Sequence, residues 1–386
     1  MRTALQTAAK PQAFTRAQGA SRLRSKTMAT AAPVAAPMTA AAPAVKERAK
    51  AAILGGLLAD AASMPLHWIY DVPKMQELLA AKGLTAAAPE FYPEPSCPFY
   101  QHPFGSLSPY GHELIPLLRT LADEGKVDED KYAQAIHRYF TSEEPNAYRN
   151  KSIRNVVAAV EEGKKGRECG DAADFQANCF AKASLLVALY AGTPRLRSAM
   201  ESAIRVQQNN DQAVAFGIAG ALLLEKVVLG SSIEEALAWA SSEGGLDAEL
   251  RELVQRGLSS RTTPLRELTY EPSSYMVDMV SKHMALKDAL PAFTTAVWCN
   301  GPACGNPAAF ANVAMAAAHY GTAADAYVAG VRANLMAGGD NCSRSLLIGA
   351  LLAAQGGVAS LPADWRSKVP KMPEYEALVD RLLARA

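Results

Sequence analysis

Hydrophobic and polar positions along this chain repeat at helical spacing. From Val45 to Leu58 apolar and alanine positions continue without the alternation a strand requires. The segments LIPLLRTLADEG, KYAQAIHRYF, NVVAAVEEGKK, AKASLLVALYAG, QAVAFGIAGALLLEKVVLG, SIEEALAWASSEG and AAFANVAMAAAHYG follow, each ending at a glycine or a polar stop. Ser232 with Glu235 three residues later reads as a capping box, in which each group satisfies a free backbone N–H. No run alternates convincingly. The pattern predicts an all-α fold of alanine- and glycine-rich helices that pack closely.

Length and charge narrow the class. A chain of 386 residues builds one large domain or two ordinary ones. A formal net charge of +1 argues against a dedicated nucleic-acid binder, which would carry a basic face. No apolar run is expected to reach the roughly 18–20 residues of a bilayer span, so no membrane partner is expected. The six cysteines are scattered and include no CxxC pair, which predicts free thiols.

The beginning of the chain differs from the rest. Met1 to Lys46 contains no acidic residue, while Arg2, Lys10, Arg16, Arg22, Arg24 and Lys26 recur among Ala, Ser, Thr and Pro. That composition fits an organelle transit peptide followed by a linker, with plastid the first expectation and mitochondrion the second. A disordered cytosolic tail is the alternative. The expected division is an extension over 1–46 and an all-α domain over 47–386.

Unusual chemistry gathers between helices, at residues 58–71, 96–113, 205–214, 299–309 and 336–350. Polar clusters at helix starts suit a pocket shared by loops, and at least three should converge. Separate caps and turns would leave the same trace. In MAGGDNCSRSLLIGA, Asp340 is placed to enter a pocket, to cap the helix that follows, or to do both.

ILGGLLADAASMPLHW resembles the first motif of the ADP-ribosylglycohydrolases, GxxxGDAxGxPxE. Gly55, Asp60, Ala61 and Pro65 match, and Ala59 stands at the second glycine. GGDNCSRSLLIGALLAAQGG resembles their C-terminal signature, GGDxDTxAAxxGALxGAxxG, and LPADW the IPxxW after it. The segments LHWIYD, QANCFAKASLLVALYAG and SPYGHELIPLLR look closer to the branch holding the jellyfish J crystallins. The resemblance implies a compact orthogonal helical bundle. For active members it implies two magnesium ions on a TDDT-type segment and the DxDT of the signature, with carboxylates activating water at an anomeric carbon.

This chain departs from that ligand set. TDDT falls on Tyr110, Gly111, His112 and Glu113; in the signature Asp340 is kept, while Cys342 and Ser343 replace the second aspartate and the threonine. Magnesium is therefore expected from the family, but its ligand set is incomplete. Three readings follow. Asp340, His112, Glu113 and Cys342 could form a different metal site, suited to zinc. Glu113 or Asp340 as base and His112 as acid could cleave an N- or O-glycosidic bond without metal. Or the fold could be kept for a nucleotide-like ligand, a partner or a structural use. The partner expected is a small molecule or an ADP-ribosylated ligand.

Other residues are candidates for ligand contact. Asp60 falls on the first-motif aspartate. His67 and Trp68 could stack on adenine or ribose, or simply pack together. Asn209 and Asn210 could bond ribose hydroxyls, with Asp211 as a helix cap. Asn341 and Ser343 sit in the signature loop, and Arg344 just past it could face a diphosphate or make a surface ion pair. His102, His137, His283 and His319 are given no role.

Overall fold

The computed structural model describes residues 43–262, 281, 285–286 and 289–386. The expected extension and His283 thus lie largely or wholly outside the described residues. Among those residues there are helices and no strands, in agreement with the all-α expectation. The first helix, Pro43–Ser63, begins inside the segment read as the extension; Lys46 donates to the carbonyls of Leu383 and Ala386 at 3.1 and 2.9 Å.

The two motif-bearing helices cross each other in the middle of the core. Pro43–Ser63 runs antiparallel to Asn341–Gly356, and small residues let the backbones meet. A Cβ on Gly55 would stand 2.2 Å from the Ala353 Cβ, and one on Gly349 would stand 2.6 Å from both the Ala59 Cβ and the Gly55 carbonyl. Farther along the crossing, the hydroxyls of Ser63 and Ser345 pair at 2.9 Å. This contact brings the end of the first motif against the start of the second.

The first helix corrects one expectation. Pro43–Leu66 is long and apolar enough to cross a membrane, yet 94% of its apolar window is buried inside the fold. Alanines and glycines, rather than a run of large aliphatics, give it that character, and they are used for close helix packing.

Capping follows the sequence at Ser232, which accepts from Glu235 N at 3.1 Å while Glu235 accepts from Ser232 N at 2.7 Å. At Asp211–Val228 it does not. Asn210 accepts from Ala213 N at 3.1 Å, and Asp211 instead pairs with Arg205 at 2.7 Å. The residue one place earlier has the extended backbone a cap needs.

Candidate functional site

Four of the five loops converge on one cavity; the 205–214 loop supplies no lining side chain. The 64–71 turn and the signature loop are stitched by Trp68 N to Gly339 O at 2.9 Å and Gly339 N to Ile69 O at 2.8 Å. Asp340 N then donates to Pro302 O at 2.9 Å, adding the 299–309 loop. Gly338 and Gly339 have φ of 70° and 61°, and a Cβ on Gly339 would lie 2.6 Å from Pro302 O. Both left-handed backbone and close approach therefore require the glycine pair.

Asp340 lies at the floor of this assembly, 1% exposed. Its Oδ1 accepts from His67 Nε2 at 3.0 Å, and its Oδ2 from Trp68 Nε1 at 2.8 Å and the Tyr110 hydroxyl at 2.9 Å. The carboxylate only accepts, so His67 carries its proton on Nε2, and Nδ1 takes the Tyr100 hydroxyl at 2.9 Å. Burial alone would raise the Asp340 pKa, but the bonds from His67, Trp68 and Tyr110 outweigh it and hold the carboxyl below its ordinary value. Burial lowers the His67 pKa and favours the neutral imidazole, against the bond and the charge of Asp340. Although Asp340 begins the Asn341–Gly356 helix, its side chain makes no cap bond, against the expectation that it would do both. Trp68 holds a left-handed backbone at φ 59°, which costs a bulky residue about 1–3 kcal/mol and aims its indole at Asp340.

The cavity above has a volume of about 640 Å³. Trp68, Tyr70, Phe99, Tyr110, Tyr148 and Phe175 supply aromatic wall; Lys151, Arg154, Asp171 and Asp174 supply charge. None of these charged residues stood out in the sequence. The Pro-, Gly- and aromatic-rich 96–113 stretch was the signal for part of the wall.

Most sequence candidates stand behind this cavity rather than in it. Asp60 is buried and accepts from Ser108 N and Oγ at 2.8 and 2.5 Å, fixing the start of the Pro109–Glu124 helix; burial pushes it up to about 7 against those bonds. Glu113 is buried and accepts from Asn150, Asn178 and Gln207 at 2.8, 2.6 and 2.7 Å. Burial raises it to about 7, opposed by the buried Lys182 ammonium. His112 bonds the Tyr139 hydroxyl at 2.7 Å, and burial drives it down to about 3. Neither Glu113 nor His112 lines the cavity, so the acid–base pairing with Asp340 does not assemble.

Arg344 faces inward too. Its guanidinium donates to Asn334 Oδ1, Pro302 O and Gly338 O at 2.8, 2.9 and 2.9 Å, leaving no fork for a diphosphate and no surface ion pair. Asn341 is buried against the Leu66 and Leu335 carbonyls, and the Ser343 hydroxyl donates to Asp340 O at 2.9 Å. Asn209 donates to Arg167 O and Asn210 to Ala172 O, outside the cavity lining. Of the expected ligand contacts, His67 reaches the floor only through its bond to Asp340 and its stacking on Trp68, ring centroids 4.4 Å apart.

A model of the ADP-ribosylglycohydrolase family matches residues 41–386. The chain belongs to the ADP-ribosylglycohydrolase family. It is 29% identical to crystallin J1A of Tripedalia cystophora over 87% of this chain and 96% of that protein. Crystallin J1B of the same jellyfish is also 29% identical, over 88% and 98%. A solved structure described as an ADP-ribosylglycohydrolase-related protein complex shares the fold at a TM-score of 0.63 and 18% identity, covering 88% of this chain and 98% of that one.

The residues at the family's magnesium positions do not fit that metal. Asp340 has its oxygens engaged by three protein donors. Tyr110 offers a phenol that burial keeps protonated, and Glu113 is turned into an amide cluster. The Cys342 thiol is buried 3.8 Å from Asp60 O, with burial raising its pKa well above the ordinary thiol value. Among the described residues no three His, Cys, Asp or Glu side chains gather as a metal site, so the expected zinc-type set of Asp340, His112, Glu113 and Cys342 does not form either.

Proposed function

We propose that this chain is a small-molecule-binding member of its family that works without a bound metal and does not cleave a glycosidic bond. The observation that carries this reading is the engagement of Asp340 by His67, Trp68 and Tyr110 where the family places metal ligands. An aromatic cavity stands above it, lined also by Arg154 and by Lys151, which pairs with Asp171. The likeness to two crystallins agrees with a non-catalytic use of the fold. The test gives the full chain an ADP-ribosylated peptide with and without magnesium, alongside a thermal-shift panel that includes ADP-ribose. The expected result is no release of ADP-ribose and a ligand-dependent shift that Tyr148→Ala weakens. Magnesium-stimulated release would overturn it.

Metal-free hydrolysis is the second reading. It is favoured by one observation, that the ionised Asp340 borders the cavity and could stabilise positive charge at an anomeric carbon. Release of ADP-ribose in a chelator, lost in Asp340→Asn, would select it. For residues 1–46 we propose a plastid address; a reporter fusion that stays in the cytosol would contradict this.

A further inference from the structure

Resting on the reading that the cavity binds a small molecule, we propose that its floor takes a quaternary ammonium head group. The rings of Trp68, Phe99 and Tyr148 would surround that group above the Asp340 carboxylate. Trp68 and Phe99 stand at 87° with centroids 5.5 Å apart, and Trp68 and Tyr148 at 75° and 5.3 Å. Each pair is an edge-to-face contact, and His67 stacks on Trp68 as well. All three rings line the cavity, where the ring surface left uncovered carries the negative potential that attracts an organic cation.

The floor supplies a charge to match. Two of the partners of Asp340, an indole and a phenol, carry no charge, and burial favours the neutral form of the third, the His67 imidazole. Neutral donors spread its charge without cancelling it. The cavity lining holds three carboxylates, Asp171, Asp174 and Asp340, against two cations, Lys151 and Arg154. Lys151 is already paired with Asp171 at 3.0 Å, and Arg154 donates to Arg149 O at 2.5 Å. Arg344, behind the floor, offsets part of the Asp340 charge but points its donors at Asn334 and two backbone carbonyls.

The hydrogen bonds choose among cations. Guanidinium and primary ammonium groups need acceptors, and Asp340 has given its lone pairs largely to protein donors. A quaternary ammonium donates nothing; it needs only a field and apolar faces. Phe99 and Phe175 at the mouth are 62% and 39% exposed, area that the methyl groups and their stem would cover.

The test titrates choline into the full chain, followed by calorimetry and tryptophan fluorescence. The comparison is its neutral isostere, with tert-butyl in place of trimethylammonium, and ADP-ribose is run in parallel. Choline should bind about tenfold or more tightly than the isostere. Phe99→Ala should weaken choline severalfold with an unchanged melting temperature, and Asp340→Asn should remove the preference over the isostere. If Asp340→Asn does not fold, Phe99→Ala and the isostere decide. Equal binding of choline and isostere overturns the proposal. Binding of ADP-ribose without choline overturns it and leaves the binding reading standing; binding of no probe removes both.

Discussion

The indole Nε1 of Trp68 lies 2.8 Å from Oδ2 of Asp340, on the oxygen that also takes the Tyr110 hydroxyl. The first motif, the 96–113 loop and the C-terminal signature therefore meet on one carboxylate. Removing that carboxylate leaves three donors with nothing to bond. Asp340→Ala should cost roughly 2–4 kcal/mol in urea unfolding, and Asp340→Asn less, because an amide oxygen still accepts. Equal, near-zero losses for both would show that the cluster contributes no stability.

The helix crossing makes a separate prediction. Gly349→Ala puts a Cβ 2.6 Å from the Ala59 Cβ and the Gly55 carbonyl, and should destabilise by about 1–3 kcal/mol. Ala59→Gly in the same chain should return part of that loss. A double-mutant cycle with no coupling would mean that the two positions do not press on each other.

Arg344→Lys separates a structural role from a ligand role. The guanidinium joins Asn334, Pro302 and Gly338, and a lysine cannot span the three. The variant should lose about 1–3 kcal/mol of stability. Unchanged stability with lost affinity for a phosphorylated ligand would restore the diphosphate contact.

Periodicity made the helices legible, because a buried stripe writes itself into the order of apolar residues. The abundance of alanine and glycine likewise predicts helices that pack closely, though not which two of them meet. Side-chain direction was harder to read. Arg344, one turn past Asp340, looks like an anion ligand in sequence, yet the crossing turns it inward. His112 and Glu113 fall on the TDDT positions that the resemblance implies, but the Pro109–Glu124 helix presents Tyr110 to the cavity and buries the pair. Asp171 and Asp174 come from a separate connection whose proximity depends on how helices pack, and no local spacing encodes that.

Glu113 gives a pH prediction. Burial raises its pKa from 4.5 to about 7, so the folded state holds a proton that the unfolded chain releases. Its contribution is fully present below about pH 4.5 and is lost as pH rises through 7, at about 1.4 kcal/mol per unit of displacement. Asp60, also raised to about 7, has the same sign. His112, lowered to about 3, has the opposite one, with stability present above its unfolded value and lost as pH falls. Melting curves between pH 5 and 8 should show a smaller fall with rising pH in Glu113→Gln than in the parent chain. Identical slopes would contradict an uncharged Glu113.

The central claim is that the cavity carboxylate is committed to the protein's own donors. Calorimetric titration of the metal-stripped full chain with magnesium and manganese, alone and with ADP-ribose, tests it most directly. The account predicts no saturable uptake of either ion and no change in melting temperature on adding a chelator. Two ions bound per chain at micromolar affinity, strengthened by ADP-ribose, would contradict it.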